Sequence, residues 1–325
     1  MSFDATDIDI FVLTYNRADL LPATLRSLLA QSARGAAITV LDNASTDGTE
    51  AAVLEFRTAG VRYERAPANL GWAGNLARAQ ALAQRRWTLV FHDDDLLHPQ
   101  YLEYALQAIN SMPELGLLAS AMSFDSAPDE SNWPITPPRT LLCREAGDLA
   151  ALLYEGFPIH FGSALYRSDV LRSLTWESAQ YGKIADRPFL LAAAGRQATL
   201  VFVSPLVRYR VHANQDSGSA ETGPFSPQLA ALHRCYRRHT GENPLSVRGR
   251  CFLRHNYRAI RDEFSRLPSV DRARFASLSE YLDFVRQEGG CTRFSLVAGR
   301  LALALAAMQR TLCAYGRALA RRMGA

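Results

Sequence analysis

The sequence predicts an α/β fold, with a mostly parallel sheet flanked by helices and a helical region at the C-terminal end. Two observations support this prediction. Through the first hundred residues, short runs of β-branched and aromatic residues alternate with helical patterns and are joined by short links, as in parallel sheets covered on both faces. From Gln228 onward, apolar residues recur at helical spacing.

The first half of the chain alternates regularly between the two kinds of element. Apolar runs predict strands over residues 8–13, 38–41, 61–64, 87–91 and 115–120. The helices predicted between them are a segment with Leu21, Leu25, Leu28 and Leu29 on one face, residues 49–57, a segment from the loop at 69–75 to residue 84, and residues 99–111.

The second half is less regular. Helices are predicted over residues 148–154, 169–174 and 186–194, and strands over residues 159–166, 199–203 and 207–211. Residues 126–138 contain four prolines, which favours a surface loop or flap. Residues 213–227 are rich in Gly, Ser, Asp and Pro, and we expect them to be mobile.

Composition limits the class of protein. The 325 residues carry a net charge of +4, and basic residues crowd the last third of the chain. This region suits an anionic lipid surface, an anionic acceptor or plain solvent. Nucleic-acid binding is not expected, because no recognised module or aromatic–basic interleaving accompanies the charge.

The cysteines and the hydrophobic segments indicate a cytoplasmic protein. Five widely spaced cysteines with no C-x-x-C pair are typical of free thiols in a reducing compartment. The acidic N-terminus has no pattern of a secretory signal. The best apolar stretch, Phe294 to Met308, is interrupted by Arg300 and is short for a membrane span.

The most informative stretch is the strand predicted over residues 87–91, which three consecutive aspartates follow: Asp93, Asp94 and Asp95. Adjacent carboxylates repel one another, and a hard cation such as Mg²⁺ or Mn²⁺ would relieve that repulsion while binding ligand phosphates. Ligands of open α/β sheets bind beyond the carboxyl ends of the strands, where these residues fall. The alternative is a solvated loop with a helix cap, for which one Asp suffices.

The chain resembles the family 2 glycosyltransferases, which have the Rossmann-like GT-A fold. The resemblance covers roughly residues 6–217, and the matching stretches recur in family order: residues 13–17 (LTYNR), 41–49 (LDNASTDGT), 69–75 (NLGWAGN) and the aspartate run with Pro99. Residues 182–189 and 209–217 match more loosely. It implies a catalytic domain over residues 1–217, with a nucleotide-sugar half at about 1–111 and an acceptor half at about 112–217, followed by a C-terminal helical region over 218–325.

The resemblance also implies a nucleotide-sugar site. Asp42 would accept a hydrogen bond from the base, although an Asx turn explains it equally simply. The other implied binding residues are Thr14, Tyr15, Arg17, Asn69, Gly71, Asn75, Asp93 and Asp94. The implied metal ligands for Mn²⁺ or Mg²⁺ are Asp94, Asp95 and His212. His92 replaces the first carboxylate of the usual motif, which leaves open which aspartate binds the metal and which the ribose.

Asp186 is the expected catalytic base. Sugar transfer with inversion requires a carboxylate that takes the proton of the attacking hydroxyl. The family's second acidic residue is absent, because Ala185 precedes Asp186. The alternative role of Asp186 is the cap of a helix that continues through Pro188.

We therefore expect an inverting, metal-dependent glycosyltransferase that uses a UDP-, GDP- or dTDP-linked donor and a glycan or lipid-linked acceptor of the cell surface. The alternatives are a sugar-nucleotide pyrophosphorylase and a non-catalytic homologue that binds nucleotide-sugars or glycan. The apolar helix over 294–308 and the arginines after it favour either the inner face of the membrane or packing against the catalytic domain or a second subunit, as in a homodimer.

Overall fold

A computed structural model of the chain describes residues 2–125, 133, 137–212, 225–242, 246, 248, 249, 252 and 256. The chain divides into two compact units. The first comprises Met1–Leu153 and Phe157–Glu221, and the second comprises Tyr154–Gly156 and Thr222–Ala325.

The bounds of the elements follow the alternation seen in the sequence. The strands are β1 (Ile8–Thr14), β2 (Ala37–Asp42), β3 (Arg62–Arg65), β4 (Trp87–His92), β5 (Leu96–Leu97), β6 (Leu115–Asp125), β7 (Thr140–Cys143), β8 (Ala164–Arg167) and β9 (Ala198–Arg210). The α-helices are α1 (Leu21–Leu29), α2 (Thr49–Leu54), α3 (Gly71–Leu82), α4 (Tyr101–Ser111), α5 (Ala146–Tyr154), α6 (Ser168–Arg172), α7 (Ser178–Tyr181), α8 (Asp186–Ala194) and α9 (Phe225–Thr240). Short 3₁₀ turns cover Ala5–Asp7, Arg57–Ala59, Phe161–Ser163 and Gly182–Ile184.

The described strands form one sheet in the order β3-β2-β1-β4-β8-β6-β9-β5, with β7 paired to β9 outside this path. The first four strands run parallel, with α1, α2 and α3 as their connections. Strands β6 and β9 are also parallel, whereas β8 runs antiparallel to both of its neighbours. The predicted α/β fold is confirmed, and its uniformly parallel part is the N-terminal half. The carboxyl ends of β1, β2 and β4 therefore meet at one edge of the sheet.

Strand β1 lies at the centre of the parallel half, and all seven of its residues are buried. This explains its nearly continuous apolar sequence. The exception is Asp9, whose carboxylate accepts hydrogen bonds from the backbone N–H groups of Gln84 and Arg85, both at 2.9 Å. Asp9 thus satisfies the backbone N–H groups of the turn that precedes β4.

The strand predicted over residues 159–166 is wrong in its first part. Only Ala164–Arg167 is a strand, because residues before it form the 3₁₀ turn Phe161–Ser163. The Ser163 hydroxyl donates to the His160 carbonyl at 2.8 Å, while the His160 N–H donates to that hydroxyl at 3.2 Å. Such side-chain bonds compete with a strand ladder, and the apolar composition did not reveal them.

The two strands predicted over 199–203 and 207–211 are one strand, β9. Its pairing with β6 shifts from Ser120–Phe202 to Met122–Val207, and this irregularity accommodates Pro205, which has no backbone N–H to donate. The strands β5 and β7 were not predicted; β5 has only two residues, and β7 follows the proline-containing loop. Helix α4 begins at Tyr101, two residues later than predicted, so Pro99 precedes the helix.

The second unit contains α9 and a cluster of buried rings. The rings of His233 and Phe252 stack in parallel with centroids 5.5 Å apart, and Tyr154 and Tyr236 pack around them. Cys143 of the first unit and Cys235 of the second are buried, free thiols, as expected for a chain without a disulfide framework.

Several predictions concern residues outside the described ranges. They are most of the proline-containing loop at 126–138, the segment 213–224, and the apolar helix and arginines beyond residue 293. Helix α9 begins at Phe225, so the end of the segment expected to be mobile is helical. Among the described residues, no helix combines the length and apolar character needed to cross a membrane.

Candidate functional site

The loops after β1 and β2 are joined at the carboxyl edge of the sheet. The N–H of Asn43 donates to the Thr14 carbonyl at 2.9 Å. Asn16 accepts from the Thr46 N–H at 2.8 Å, and its own N–H donates to the Ser45 hydroxyl at 2.8 Å. Thr14 is buried at the end of β1. These hydrogen bonds fix the two loops relative to each other. Both loops were predicted from the sequence to bind the nucleotide-sugar donor.

Both loops contain a residue in the left-handed backbone region. Asn16 has φ of 54° and Ala44 has φ of 65°. Asn tolerates this conformation because its side chain bonds locally, whereas for Ala it costs free energy of order 1 kcal/mol. Backbone strain of this kind concentrates at binding sites, and here it lies in the two loops at the carboxyl edge.

Asp42 is fully buried at the end of β2, and its carboxylate is saturated by its own chain. One oxygen accepts from the N–H and the hydroxyl of Ser45. The other accepts from the Tyr63 hydroxyl at 2.7 Å and from Arg65 Nη1 at 3.1 Å. Burial and the bond to Asp42 raise the pKa of Tyr63 to about 12. Because a carboxylate has about four acceptor positions, a nucleotide base would have to displace one of these donors.

The predicted glycine-bearing loop is tied to the same edge. The Asn69 side chain accepts from the Asn43 amide and from the Gly71 N–H, both at 2.8 Å. Gly71 has φ of +69° and is exposed, so a backbone conformation that favours glycine opens α3. Asn75 is buried, and its amide donates to the Leu41 carbonyl at 2.8 Å. Asn75 therefore anchors α3 to β2, while Asn69 and Gly71 line the loop surface.

Asp93 connects the β4 loop to the residues after β1. Its carboxylate accepts from the Tyr15 N–H at 3.3 Å and lies 3.9 Å from Arg17 Nε. Burial and the neighbouring charge of Asp94 raise the pKa of Asp93. The Tyr15 ring is 41% exposed at this edge, which leaves an aromatic face open beside Asp42 and Asp93.

Asp94 and His212 come together although they lie 118 positions apart in the sequence. His212 Nε2 lies 3.0 Å from Asp94 Oδ2, and both side chains are partly exposed. Buried Arg210 holds this arrangement: its guanidinium donates to the Asp94 carbonyl, to the Leu20 carbonyl at 2.9 Å and to the Thr24 hydroxyl at 2.7 Å. Asp94 and His212, two of the three implied metal ligands, thus form a carboxylate–imidazole pair.

Asp95 lies behind this pair and is fully buried. One oxygen accepts from the Arg210 N–H at 3.3 Å, while Oδ2 has no hydrogen-bond partner among the residues that the structure describes. Burial and the charge of Asp94 raise the pKa of Asp95 well above its usual value. Within the described part of the chain, no group of three or more acidic, His or Cys side chains is arranged to hold a metal ion. A metal ion bound by Asp94 and His212 would therefore need further coordinating atoms from a bound ligand.

Asp186 is the first residue of α8, and its carboxylate faces two basic side chains. Oδ2 lies 3.3 Å from Arg187 Nε and 3.7 Å from His160 Nδ1. Burial raises the pKa of Asp186, and the charge of Arg187 opposes that rise. Ala185 occupies the cap position of α8, and no side chain caps the helix there. Asp186 is therefore the first helical residue of α8 and not its N-cap, and its carboxyl group accepts a hydrogen bond from the Arg187 N–H.

His160 lies between Asp186 and Arg187. Its Nε2 is 3.4 Å from Arg187 Nη2. Because a guanidinium can only donate, Nε2 acts as the acceptor and a neutral His160 ring carries its proton on Nδ1, towards Asp186. Burial and the positive charge of Arg187 lower the pKa of His160 to about 3, which keeps the ring neutral at physiological pH.

His92 occupies the position where the family motif usually has its first carboxylate. A Cβ atom on Gly162 would lie 2.2 Å from the His92 ring, so only glycine fits there. The other neighbour is Trp72, whose ring stacks with that of His92 at a centroid distance of 6.5 Å. The imidazole thus fills the space between the start of α3 and the 3₁₀ turn that follows His160.

Sequence reasoning did not identify several residues that build the site. They are Asn43, Tyr63, Arg65, His160, Arg187 and Arg210. Arg187 and Arg210 fall inside the two loosely matching later stretches, so that resemblance was a usable signal for them. For His160 the sequence held no signal, because it lies in a segment whose apolar character predicted a strand.

The site and the sheet can be compared with known proteins. The sequence model described as "Glycosyl transferase family 2" matches residues 9–175. The succinoglycan biosynthesis protein ExoO of Rhizobium meliloti (strain 1021) is 30% identical over 101 residues, which are 31% of this chain and 29% of that protein. The chain thus matches less than a third of the length of this relative.

Solved structures share the fold. The crystal structure of S. aureus TarS 1–349 aligns with a TM-score of 0.58 at 17% identity, over 87% of this chain and 82% of that chain. TarS 1–349 in complex with UDP-GlcNAc aligns with a TM-score of 0.61 at 16% identity, over 86% of this chain and 81% of that chain. At this level of identity the likeness concerns the fold.

Proposed function

The chain belongs to glycosyl transferase family 2, and we propose from this premise that it transfers a sugar, with inversion, from a nucleotide-sugar donor to a hydroxyl acceptor. The observation that carries the proposal is the carboxyl edge of the sheet, where Tyr15 and Asp42 lie near the acidic loop of Asp93 and Asp94. A nucleotide base needs an aromatic face, a ribose needs hydrogen-bond acceptors and a diphosphate needs positive charge. Tyr15, Asp42 and Arg17 supply these at this edge.

Asp94 and His212 are the residues that would hold Mn²⁺ or Mg²⁺. One carboxylate oxygen and one imidazole nitrogen 3.0 Å apart leave the remaining positions for oxygens of the donor diphosphate. The unpartnered oxygen of Asp95 supports this assignment, because a cation held by the pair would stabilise the ionised form of this buried carboxyl group. When bound, the cation would stabilise negative charge on the departing nucleoside diphosphate.

Asp186 is the proposed general base. Its raised pKa makes it a stronger proton acceptor than an ordinary carboxylate. The guanidinium of Arg187 lies 3.3 Å from its Oδ2 and holds that oxygen, so we assign the second oxygen to the acceptor hydroxyl. The proton of that hydroxyl passes to Asp186 as the oxygen attacks the anomeric carbon and the bond to the diphosphate breaks.

We propose a cell-surface polysaccharide or glycolipid as the acceptor. The similarity to ExoO, a succinoglycan biosynthesis protein, supports this assignment. We also propose that the protein works at the inner face of the membrane, with the C-terminal region over 218–325, which the sequence predicts to be helical, as a peripheral contact or as a homodimer surface. The basic, apolar character of the last third of the sequence supports this assignment.

A donor panel tests the function. The full chain is incubated with UDP-, GDP- and dTDP-linked sugars and Mn²⁺ or Mg²⁺, and release of the nucleoside diphosphate and thermal stability are both measured. A donor at one hundred times its Kd should stabilise the fold by about 2.7 kcal/mol, and chelation with EDTA should abolish release. Stabilisation without release under all conditions would favour the non-catalytic homologue instead. Absence of both would overturn the proposal.

A further inference from the structure

An aromatic pair lies at the ends of β6 and β9 and is not used by the donor site. Parallel pairing places Phe124 beside Tyr209, with ring centroids 5.3 Å apart. Phe124 is 56% exposed, the highest fraction for any large apolar residue in the described part of the chain. The residues of β6 from Leu115 to Met122 are all buried. Core packing therefore explains β6 only as far as Met122.

The two rings also lie close to His160, the histidine beside the proposed base. The His160 ring lies 6.2 Å from the Phe124 ring and 5.9 Å from the Tyr209 ring, measured between centroids. On its other side, His160 Nδ1 lies 3.7 Å from Asp186 Oδ2. Phe124, Tyr209 and His160 thus form an aromatic platform that borders the carboxylate.

The platform borders the acidic loop as well as the proposed base. Strand β9, which carries Tyr209, pairs with β5 directly after the aspartate run, and the N–H of Arg210, the residue after Tyr209, donates to Asp95 at 3.3 Å. A molecule bound on Phe124 and Tyr209 would therefore lie near both Asp186 and the residues proposed to hold the donor diphosphate.

We infer that Phe124, with Tyr209 and His160, binds a saccharide ring of the acceptor and presents one of its hydroxyls to Asp186. This inference rests on the proposed function. A sugar ring has an apolar face of C–H groups and a rim of hydroxyls. An aromatic surface bordered by a carboxylate and a guanidinium, from Asp186 and Arg187, matches both features.

Binding of simple glycosides tests the inference without turnover. Saturation-transfer NMR is recorded on the full chain with methyl glycosides of glucose, galactose, mannose and N-acetylglucosamine, and with sorbitol as an acyclic polyol. At least one glycoside should receive saturation on its ring C–H protons, while sorbitol should not. Phe124→Ala should weaken that glycoside about three- to tenfold, as expected for the loss of one ring contact. Phe124→Trp should retain it.

Leu54→Ala is the matched control, because Leu54 is exposed to 42% on α2 and lies outside the site. Melting curves establish that each variant is folded, and Phe124→Leu replaces Phe124→Ala if the latter is not. Equal glycoside binding by wild type and the folded Phe124 variant, or no glycoside binding above sorbitol, overturns the inference. Hexanol is measured in the same way as an alkyl probe. If the Phe124 substitution weakens hexanol binding more than the binding of any glycoside, the inference is overturned and the ring is assigned to an alkyl chain.

The nucleoside diphosphate assay separates this inference from the proposed function. If the chain consumes a donor but the Phe124 substitution does not change glycoside binding, the platform is refuted and the proposed function is not. Glycoside binding that depends on Phe124 in a chain that neither binds nor consumes any donor refutes the transferase and leaves the saccharide platform standing.

Discussion

His160 Nδ1 and Asp186 Oδ2 lie 3.7 Å apart, so the proposed base faces an imidazole instead of a second carboxylate. The family's second acidic residue would sit at Ala185, directly before Asp186 in the sequence. In this chain a histidine from a distant turn, backed by Arg187, is the partner of the base. The surroundings of Asp186 therefore include a residue that lies 26 positions away in the sequence.

Asp186→Asn should lower the rate of sugar transfer by about 10²–10⁴-fold, because an amide cannot accept the acceptor proton. Donor affinity, measured by thermal shift, should remain that of the wild type. The melting temperature at pH 7 should be equal or higher, since the raised pKa of Asp186 shows that its ionised form is disfavoured in the folded protein.

Asp169→Asn is the control for this variant, because Asp169 is an acidic residue in the first turn of α6 that pairs with Arg167 on the surface. Its transfer rate should be unchanged. A full rate in Asp186→Asn would place the base elsewhere, and Glu177 would then be the next carboxylate to test.

His160→Gln should reduce the sensitivity of the fold to acid. The pKa of His160 falls from 6.5 in a free chain to about 3 in the folded protein. Between these values the unfolded chain binds a proton that the folded chain excludes, so this residue removes stability as the pH drops below about 6.5. Asp186 acts in the opposite direction through its raised pKa. Arg187 and His92 are the basic side chains that face the His160 ring.

The measurement is urea unfolding of wild type and His160→Gln at pH 7.5 and pH 5. The difference in stability between the two pH values should be larger for the wild type. His239→Gln is a useful comparison, because the pKa of His239 is lowered as well, by burial and by Arg238, in the second unit. Identical pH dependence in wild type and His160→Gln would show that His160 is already protonated or freely hydrated in the fold.

Asp94→Asn and His212→Ala should each abolish the Mn²⁺-dependent part of nucleoside diphosphate binding. The two side chains are in direct contact at 3.0 Å, so the double variant should lose little more than either single variant. Thermal shifts with UDP and GDP, with and without Mn²⁺, measure this effect. Independent, additive losses would mean that the two residues serve different ligands.

Asp42→Ala should destabilise the fold by about 2–4 kcal/mol, because it leaves donors of Ser45, Tyr63 and Arg65 without their buried acceptor. Tyr63→Phe removes one of those donors and should cost about 1 kcal/mol. If a nucleotide base binds Asp42, Tyr63→Phe should also strengthen UDP binding, since an acceptor position is then open. Unchanged UDP affinity in a folded Tyr63→Phe variant would indicate that Asp42 only shapes the β2 loop.

Local patterns were enough to predict most elements of the sheet. Strands β1, β2 and β4 are buried on both faces, so their residues are apolar almost without interruption, and the run of apolar letters identifies them directly. The same reasoning failed for residues 159–163, where a serine hydroxyl rather than a neighbouring strand satisfies the backbone. It also divided β9 into two strands, because a sequence pattern does not reveal the irregular pairing of β9 with β6.

The sequence by itself determined the family, the α/β class and the loops that meet at the carboxyl edge, because each depends on residues that are close together in the chain. Only the tertiary structure decided that Asp42 is saturated by Tyr63 and Arg65, that His212 meets Asp94 and that His160 faces Asp186. These contacts join segments separated by 21 to 118 residues, and strand order and register bring them together. Residue identity can suggest such partners, but only the folded sheet sets the distances at which a carboxylate is saturated, paired or left open to a substrate.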